Sequence, residues 1–194
     1  MKNAHRMTLP AVTLETAKPA VREMLEATKK QIGMIPNMYV NMATAPGVLE
    51  TYQFGYQRFR QESGFTPAEQ EVVFLTVSFE NGCEYCMAAH SVIADTASRV
   101  PRPVTDALRA GGEIPDARLR AVSALTRAVV QKRGRPSRED VGAFLAAGFA
   151  EWQVLEIVLA VAVKTISNYV NHLFETTVDA PFQTRSWKAS GTEG

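Results

Sequence analysis

The sequence predicts an all-α protein. Apolar residues recur at helical spacing along most of the chain, helix-start and helix-stop residues punctuate it, and strand signals are weak. Its 194 residues, 46% hydrophobic and 21% charged, suit one helical domain over 1–194 with a sizeable core.

The helices are read in order. Pro19 opens the first, with Val21, Met24, Leu25 and Ile32 on one face and Gly33 past its end. Residues 41–45 form the tail of a short helix that stops before Pro46-Gly47. Val48, Leu49, Tyr52, Tyr56 and Phe59 then recur at helical spacing, an aromatic stripe that belongs in a core or a subunit interface. Thr66-Pro67-Ala68-Glu69 combines an N-cap threonine, proline at the first helical position and glutamate three residues after the cap. That helix carries Glu71, Val72, Leu75, Ser78 and Phe79 until Asn81-Gly82, which tolerate left-handed dihedrals and stop or kink it.

Cys83 begins the next helix, to about Ser98. Pro101-Arg102-Pro103 opens a shorter one closed by Gly111-Gly112. Asp116 caps another through about Arg133, Ser137 starts one ending near Gly148, and the last long helix covers 151 to about 176. Ala68-Glu69 and Ala150-Glu151 both open apolar helices. The same offset sets Glu71 on Gln153, Cys83 on Thr165, Cys86 on Asn168 and His90 on His172. The expected organisation is a first repeat over about 48–98 that holds the chemistry and a degenerate second repeat over about 117–176. A polar, extended tail over 177–194 follows, disordered from Lys188.

Charge and cysteine usage exclude several functions. A net charge of +1 leaves no basic excess to hold nucleic acid, and Lys132-Arg133-Gly134-Arg135 reads as a solvated helix end. The longest apolar stretch, 154–163, is too short to span a membrane and suits a buried helix; residues 1–10 show no signal peptide. Two cysteines do not make a secreted disulfide framework, so the expected setting is the reducing cytoplasm. Met38, Met42, Tyr52 and Tyr56 exceed what the small first helices need to bury, which points to a homo-oligomer. The alternative is that the last apolar helix covers them within one subunit.

The chemistry concentrates in Glu71-x11-Cys83-x2-Cys86-x3-His90. On a helix the two cysteines and His90 share one face. A start at Cys83 surrounds that thiol with unpaired N–H groups, which favour thiolate, while His90 can take the Cys86 proton. On a straight helix Glu71 would stand roughly 18 Å from Cys83, and a bend at Asn81-Gly82 would return it to the cluster. A haem-attachment site needs histidine where Met87 stands, a structural zinc site lacks a fourth ligand, and a thioredoxin-like fold needs strands. Two inert buried cysteines and a core histidine remain the plain alternative.

Together with Ser78, Asn81 and Tyr85 around the motif, Ile35-Pro36-Asn37 early, and Asn168-Tyr169-Val170-Asn171-His172 late, these residues resemble the alkyl hydroperoxidase D and carboxymuconolactone decarboxylase superfamily. The resemblance is to its peroxidase-related branch. It implies a helical bundle with an internal repeat, assembled as trimers or hexamers, that reduces hydroperoxides and is recycled by a dithiol protein or small thiol. Cys86 would attack the peroxide, Cys83 would resolve the intermediate, and Glu71 and His90 would relay protons, with no metal or organic cofactor. One position departs: the best-studied relatives have histidine where this chain has Tyr85, a poor proton shuttle near neutral pH. The alternatives are a decarboxylase-like lyase with His90 as the acid–base group, and a redox-sensing oligomer without turnover.

Overall fold

The structure, a computed structural model, describes residues 4–189. Nine α-helices lie within that span: α1 Pro19–Ile32, α2 Asn37–Met42, α3 Pro46–Glu62, α4 Pro67–Glu80, α5 Glu84–Thr96, α6 Arg102–Ala110, α7 Ala117–Gln131, α8 Arg138–Ala146 and α9 Gln153–Phe174. A 3-10 turn, Ala180–Arg185, follows, and no strand forms among the described residues. The caps fall where the sequence places them. Thr66 Oγ1 accepts from Glu69 N while Glu69 returns a carboxylate to Thr66 N, so two otherwise unpaired helix-start donors are satisfied. Ser137 and Asp140 form the same reciprocal cap on α8, and the Asp116 carboxylate accepts from Leu119 N at the start of α7.

α4 is the central element. Its residues from Glu69 to Ser78 are all buried, because α5, α6, α7 and α9 surround it. One core layer joins Phe59, Val72, Phe74, Leu75, Met87, Leu125, Phe144 and Ile157. A second joins Leu25, Met38, Met42, Leu49 and Tyr52 to Cys83, Cys86 and Val163. The cysteines therefore sit between the N-terminal helices and α9.

Four expectations change. Met38, Met42 and Tyr52 are buried within the single chain, so they offer no surface to a partner. α2 and α3 both pack on α9, which covers these side chains. Ile32 is 52% exposed, since the α1 core face is set by Val21, Leu25 and Thr28. The apolar segment at 154–163 belongs to a 22-residue helix that by length and composition could cross a membrane. The tail is extended at Asp179, turns through a 3-10 helix at Ala180–Arg185, and is tied to the bundle as far as Lys188. Arg185 pairs with Asp95 and Asp106, Trp187 Nε1 donates to Arg109 O, and Lys188 pairs with Glu84. The expectation of disorder beyond that concerns residues 190–194, which lie outside the described residues. In the proposed repeat, α9 runs unbroken through 163–165, the positions set against the Asn81–Cys83 turn.

α3 and α9 approach closely at Gly55, where an added Cβ would stand 2.7 Å from Val163 Cγ2. Gly55→Val should therefore lower the denaturation midpoint, by about 1–3 kcal/mol of stability in urea titration, as expected for overpacking a filled interface. An unchanged midpoint would show that the two helices can part without loss.

Candidate active site at the α4–α5 turn

The site begins with a local turn. Gly82 adopts φ +65, its N–H bonds to Phe79 O at 2.9 Å, and Cys83 N–H bonds to Ser78 O at 2.9 Å. This is a Schellman termination of α4. The same Cys83 is the N-cap of α5: its sulfur accepts Cys86 N–H at 3.4 Å. One residue thus ends one helix and starts the next, and the chain folds back on itself.

That reversal brings together the four residues picked out from the sequence. Glu71 Oε2 lies 2.8 Å from His90 Nδ1, with both side chains buried. Glu71 Oε1 is also held by Arg60, whose guanidinium stacks 4.7 Å from the Phe74 ring centroid and 4.9 Å from that of Tyr56. Burial works against the Glu71 carboxylate, but His90 and Arg60 outweigh it and hold the carboxyl below its usual range. Burial, reinforced by Lys164, pushes His90 below its ordinary value, so the imidazole is neutral at pH 7.

Cys83 and Cys86 are free thiols. Asn171 Nδ2 donates to both, at 3.3 Å to Cys86 Sγ and 3.8 Å to Cys83 Sγ, so the two sulfurs point the same way. Cys86 Sγ also lies 3.7 Å from Ser167 Oγ. Their acidities diverge. Burial, then the Cys86 interaction, pushes the Cys83 thiol up. Burial would raise Cys86 as well, but the hydrogen bond from Cys83, the charge of Lys164 and the Ser167 hydroxyl reverse it and hold this thiol well below its ordinary value. The cap bond from Cys86 N–H does favour a Cys83 thiolate, as the helix-start argument requires, but burial and the neighbouring Cys86 sulfur outweigh it. His90 makes no hydrogen bond to Cys86; its Nδ1 is committed to Glu71.

A cavity of about 610 Å³ is lined by Asn81, Cys83, Tyr85, Asn171 and His172, although both cysteines are buried, Cys83 at 0% and Cys86 at 1% exposure. A separate cavity of about 370 Å³ is lined by Tyr39, Gln53, Tyr56, Gln57 and Arg60 and meets the relay at its far end. His172 is exposed at the rim of the first cavity, stacked on Tyr169, away from the thiols. Tyr85 is outside the relay: its hydroxyl donates to Asp179, and burial with that bond keeps the phenol protonated. Among the described residues no cluster of three His, Cys, Asp or Glu side chains could hold a metal ion.

Sequence reasoning missed Arg60, Lys164, Ser167, Asn171 and Asp179 as parts of this site. A signal existed for three of them. Lys164, Ser167 and Asn171, with Asn168, recur at i, i+3, i+4 and i+7 in the most apolar helix, which marks one buried polar stripe. Nothing in the sequence pairs Arg60 with Glu71.

Residues 46–131 match the profile of the carboxymuconolactone decarboxylase family. That span runs from α3 through α7 and holds Arg60, Glu71, both cysteines and His90, while the α9 stripe lies outside it. Comparison with curated proteins finds no match. Among solved structures, one similar chain is a peroxidase-related protein with an alkylhydroperoxidase AhpD core from Ralstonia eutropha JMP134. It is 21% identical, with 90% of this chain and 93% of that chain covered and a TM-score of 0.79. A peroxidase-related protein from Silicibacter sp. TM1040 is 20% identical, covering 94% and 98%, with a TM-score of 0.75. The debrominase Bmp8, solved with 2,3,4-tribromopyrrole, is 14% identical, covering 94% and 97%, with a TM-score of 0.74.

The buried relay makes the fold acid-sensitive. His90 is held below 6.5 in the folded chain, so the unfolded chain binds its proton first as pH falls. Stability is complete above pH 6.5 and declines below it; Glu71, whose carboxyl is also held low, adds a further loss below about 4.5. Urea midpoints should fall between pH 7.5 and pH 5, and His90→Gln should flatten that decline. An identical decline in His90→Gln would assign the acid sensitivity elsewhere.

Proposed function

We propose that this chain, which belongs to the carboxymuconolactone decarboxylase and AhpD-like superfamily, is a thiol-dependent peroxidase and disulfide reductase. The observation that carries the reading is the pairing of an acidified buried thiol, Cys86, with a second thiol, Cys83, under one shared donor, Asn171. The thiolate is the reactive form of cysteine, so Cys86 is the nucleophile. Its sulfur attacks one peroxide oxygen and the O–O bond breaks. The alcohol leaves with a proton, and Cys86 becomes a sulfenic acid. Cys83 then attacks the Cys86 sulfur, water leaves, and an intramolecular disulfide forms. An external dithiol returns both cysteines to thiols and departs as its own disulfide. His90 and Glu71 hold and return the proton during O–O cleavage.

Cys83 lines the cavity and Cys86 does not, which supports a matching order for recycling. The incoming reductant meets Cys83, and Cys86 departs as the better leaving group because its thiol is the more acidic. Tyr85 does not stand in for the relay histidine of the best-studied relatives, so the proton path of this chain is Glu71 and His90 without it.

A lyase reaction of the decarboxylase kind is the second reading. It is favoured by one feature: the Glu71–His90 pair is complete without the thiols and holds a neutral imidazole. Alkylation of the cysteines separates the two, since it would abolish the first activity and spare the second.

Cys86→Ser should eliminate peroxide consumption. Cys83→Ser should allow one turnover and then stall, with sulfinic Cys86 visible in the intact mass. His90→Ala should slow the first step by about 10²–10⁴-fold. In wild type, stoichiometric peroxide should remove two hydrogens reversibly; no mass change would reject the redox pair.

We further propose that the functional unit is a homo-oligomer assembled through α9. Phe54, Leu155, Val158, Tyr169 and Leu173 lie exposed on α3 and α9, with Leu155 71% and Phe54 65% exposed. An apolar surface of this kind suits a second copy of the chain. Light scattering should give a multimer for wild type and a smaller species for Leu155→Glu; a wild-type monomer at micromolar concentration would reject it.

A further inference from the structure

We propose that Lys164 is the counter-cation of Cys86: its ammonium, buried on α9, holds that sulfur as the thiolate and thereby sets the reactivity of the thiol pair. The proposal deepens the peroxidase reading but rests on geometry that is independent of peroxide.

Lys164 is fully buried, and its Nζ has no hydrogen-bond partner among the described residues. A buried ammonium without a partner is costly, and an apolar side chain of similar length would fill the same space without that cost. The one aromatic face near it, Phe74 at 5.6 Å from Nζ, compensates only partly. A residue kept under such a penalty must be matched by an anion formed nearby.

The charged and titratable groups around Cys86 leave one such pairing. From α4, Glu71 is negative, but its oxygens are taken by Arg60 of α3 and by His90. Tyr52 of α3 and Tyr85 of α5 share the core cluster of Cys86, Tyr56 of α3 packs against it, and burial keeps all three phenols protonated. His90 is neutral, and the Cys83 thiol is pushed up by burial. Arg60 and Glu71 balance one another. Lys164 is then the cation without an anion, and Cys86 is the group that can supply the negative charge.

The α9 stripe supplies the rest. Lys164, Ser167 and Asn171 stand at i, i+3 and i+7, so all three face the α5 start. Asn171 donates to Cys86 Sγ, and the Ser167 hydroxyl lies beside it and can turn from Lys164 O toward the sulfur. α9 therefore presents one charge and two dipoles to a sulfur on α5. The same arrangement acts in recycling. When a dithiol donor forms its bond to Cys83, the Cys83–Cys86 bond breaks and its electron pair goes to Cys86, beside Lys164. The donor's second thiol then displaces Cys83 and closes the donor's own disulfide.

The test reads the thiol, not the turnover. In a Cys83→Ser background, the ultraviolet thiolate absorbance of Cys86 is titrated against pH for Lys164, Lys164→Met and Lys164→Arg, with Cys86→Ser as the subtraction. Lys164→Met should move the titration to higher pH by about 1–3 pH units, and Lys164→Arg should return most of that shift. Lys164→Gln replaces Lys164→Met if the latter does not fold. Coincident titration curves, or failure of both neutral variants to fold, would overturn the proposal. Should the titration move as expected while wild type consumes no peroxide, the peroxidase reading falls and the role of Lys164 stands. Peroxide consumption with an unmoved titration gives the reverse.

Discussion

The site depends on the turn in which Gly82 leaves α4 in the left-handed region and Cys83 closes it by bonding back to Ser78. Glu71 and His90 are 19 residues apart, and on a continuous helix they would lie far from each other. The Schellman turn reverses the chain and sets them at hydrogen-bond distance. It also makes Cys83 the α5 N-cap, which fixes its sulfur against the Cys86 amide and leaves Cys86 as the thiol free to respond to its surroundings. Glycine is required at the turn because a side chain there would carry the penalty of positive φ.

Around that turn the chain buries an unusual amount of charge. Arg60, Glu71, His90 and Lys164 all lie in or against the core, and their arrangement decides which of them stays charged. Glu71 remains ionised because Arg60 and His90 hold it, and His90 remains neutral because burial and Lys164 oppose a second positive charge. The two thiols, both buried, differ in acidity: Cys86 is acidified, whereas Cys83, beside the cavity, is suppressed. A pair with these unlike properties suits directional disulfide exchange better than two equivalent thiols would.

The C-terminal segment is part of this construction. Asp179 accepts from Asn37 N as well as from the Tyr85 hydroxyl, so one carboxylate ties α2 and the first turn of α5 to the tail. Arg185, with Asp95 and Asp106, and Lys188, with Glu84, continue the attachment along α5 and α6. Tyr85 thus has a positioning role. Its hydroxyl, bonded to Asp179, ties the first turn of α5 to the C-terminal segment.

What is local could be read from the residues alone. Capping residues, Gly82 and apolar spacing establish the helices and the break before Cys83, because each acts through backbone geometry within a few residues. The motif also located Glu71, both cysteines and His90. Their roles were only partly legible: the expected Cys83 thiolate and the direct His90–Cys86 contact gave way to partners drawn from distant positions. That Arg60 meets Glu71, that Lys164 and Asn171 face the thiols, and that α9 covers Met42 and Tyr52 while leaving Leu155 outside follows from how the helices pack. Asn171 and Cys83 alone are 88 positions apart. The physical reason is that desolvation and charge pairing depend on which surfaces meet, and a helical periodicity says which face is apolar without saying what will cover it.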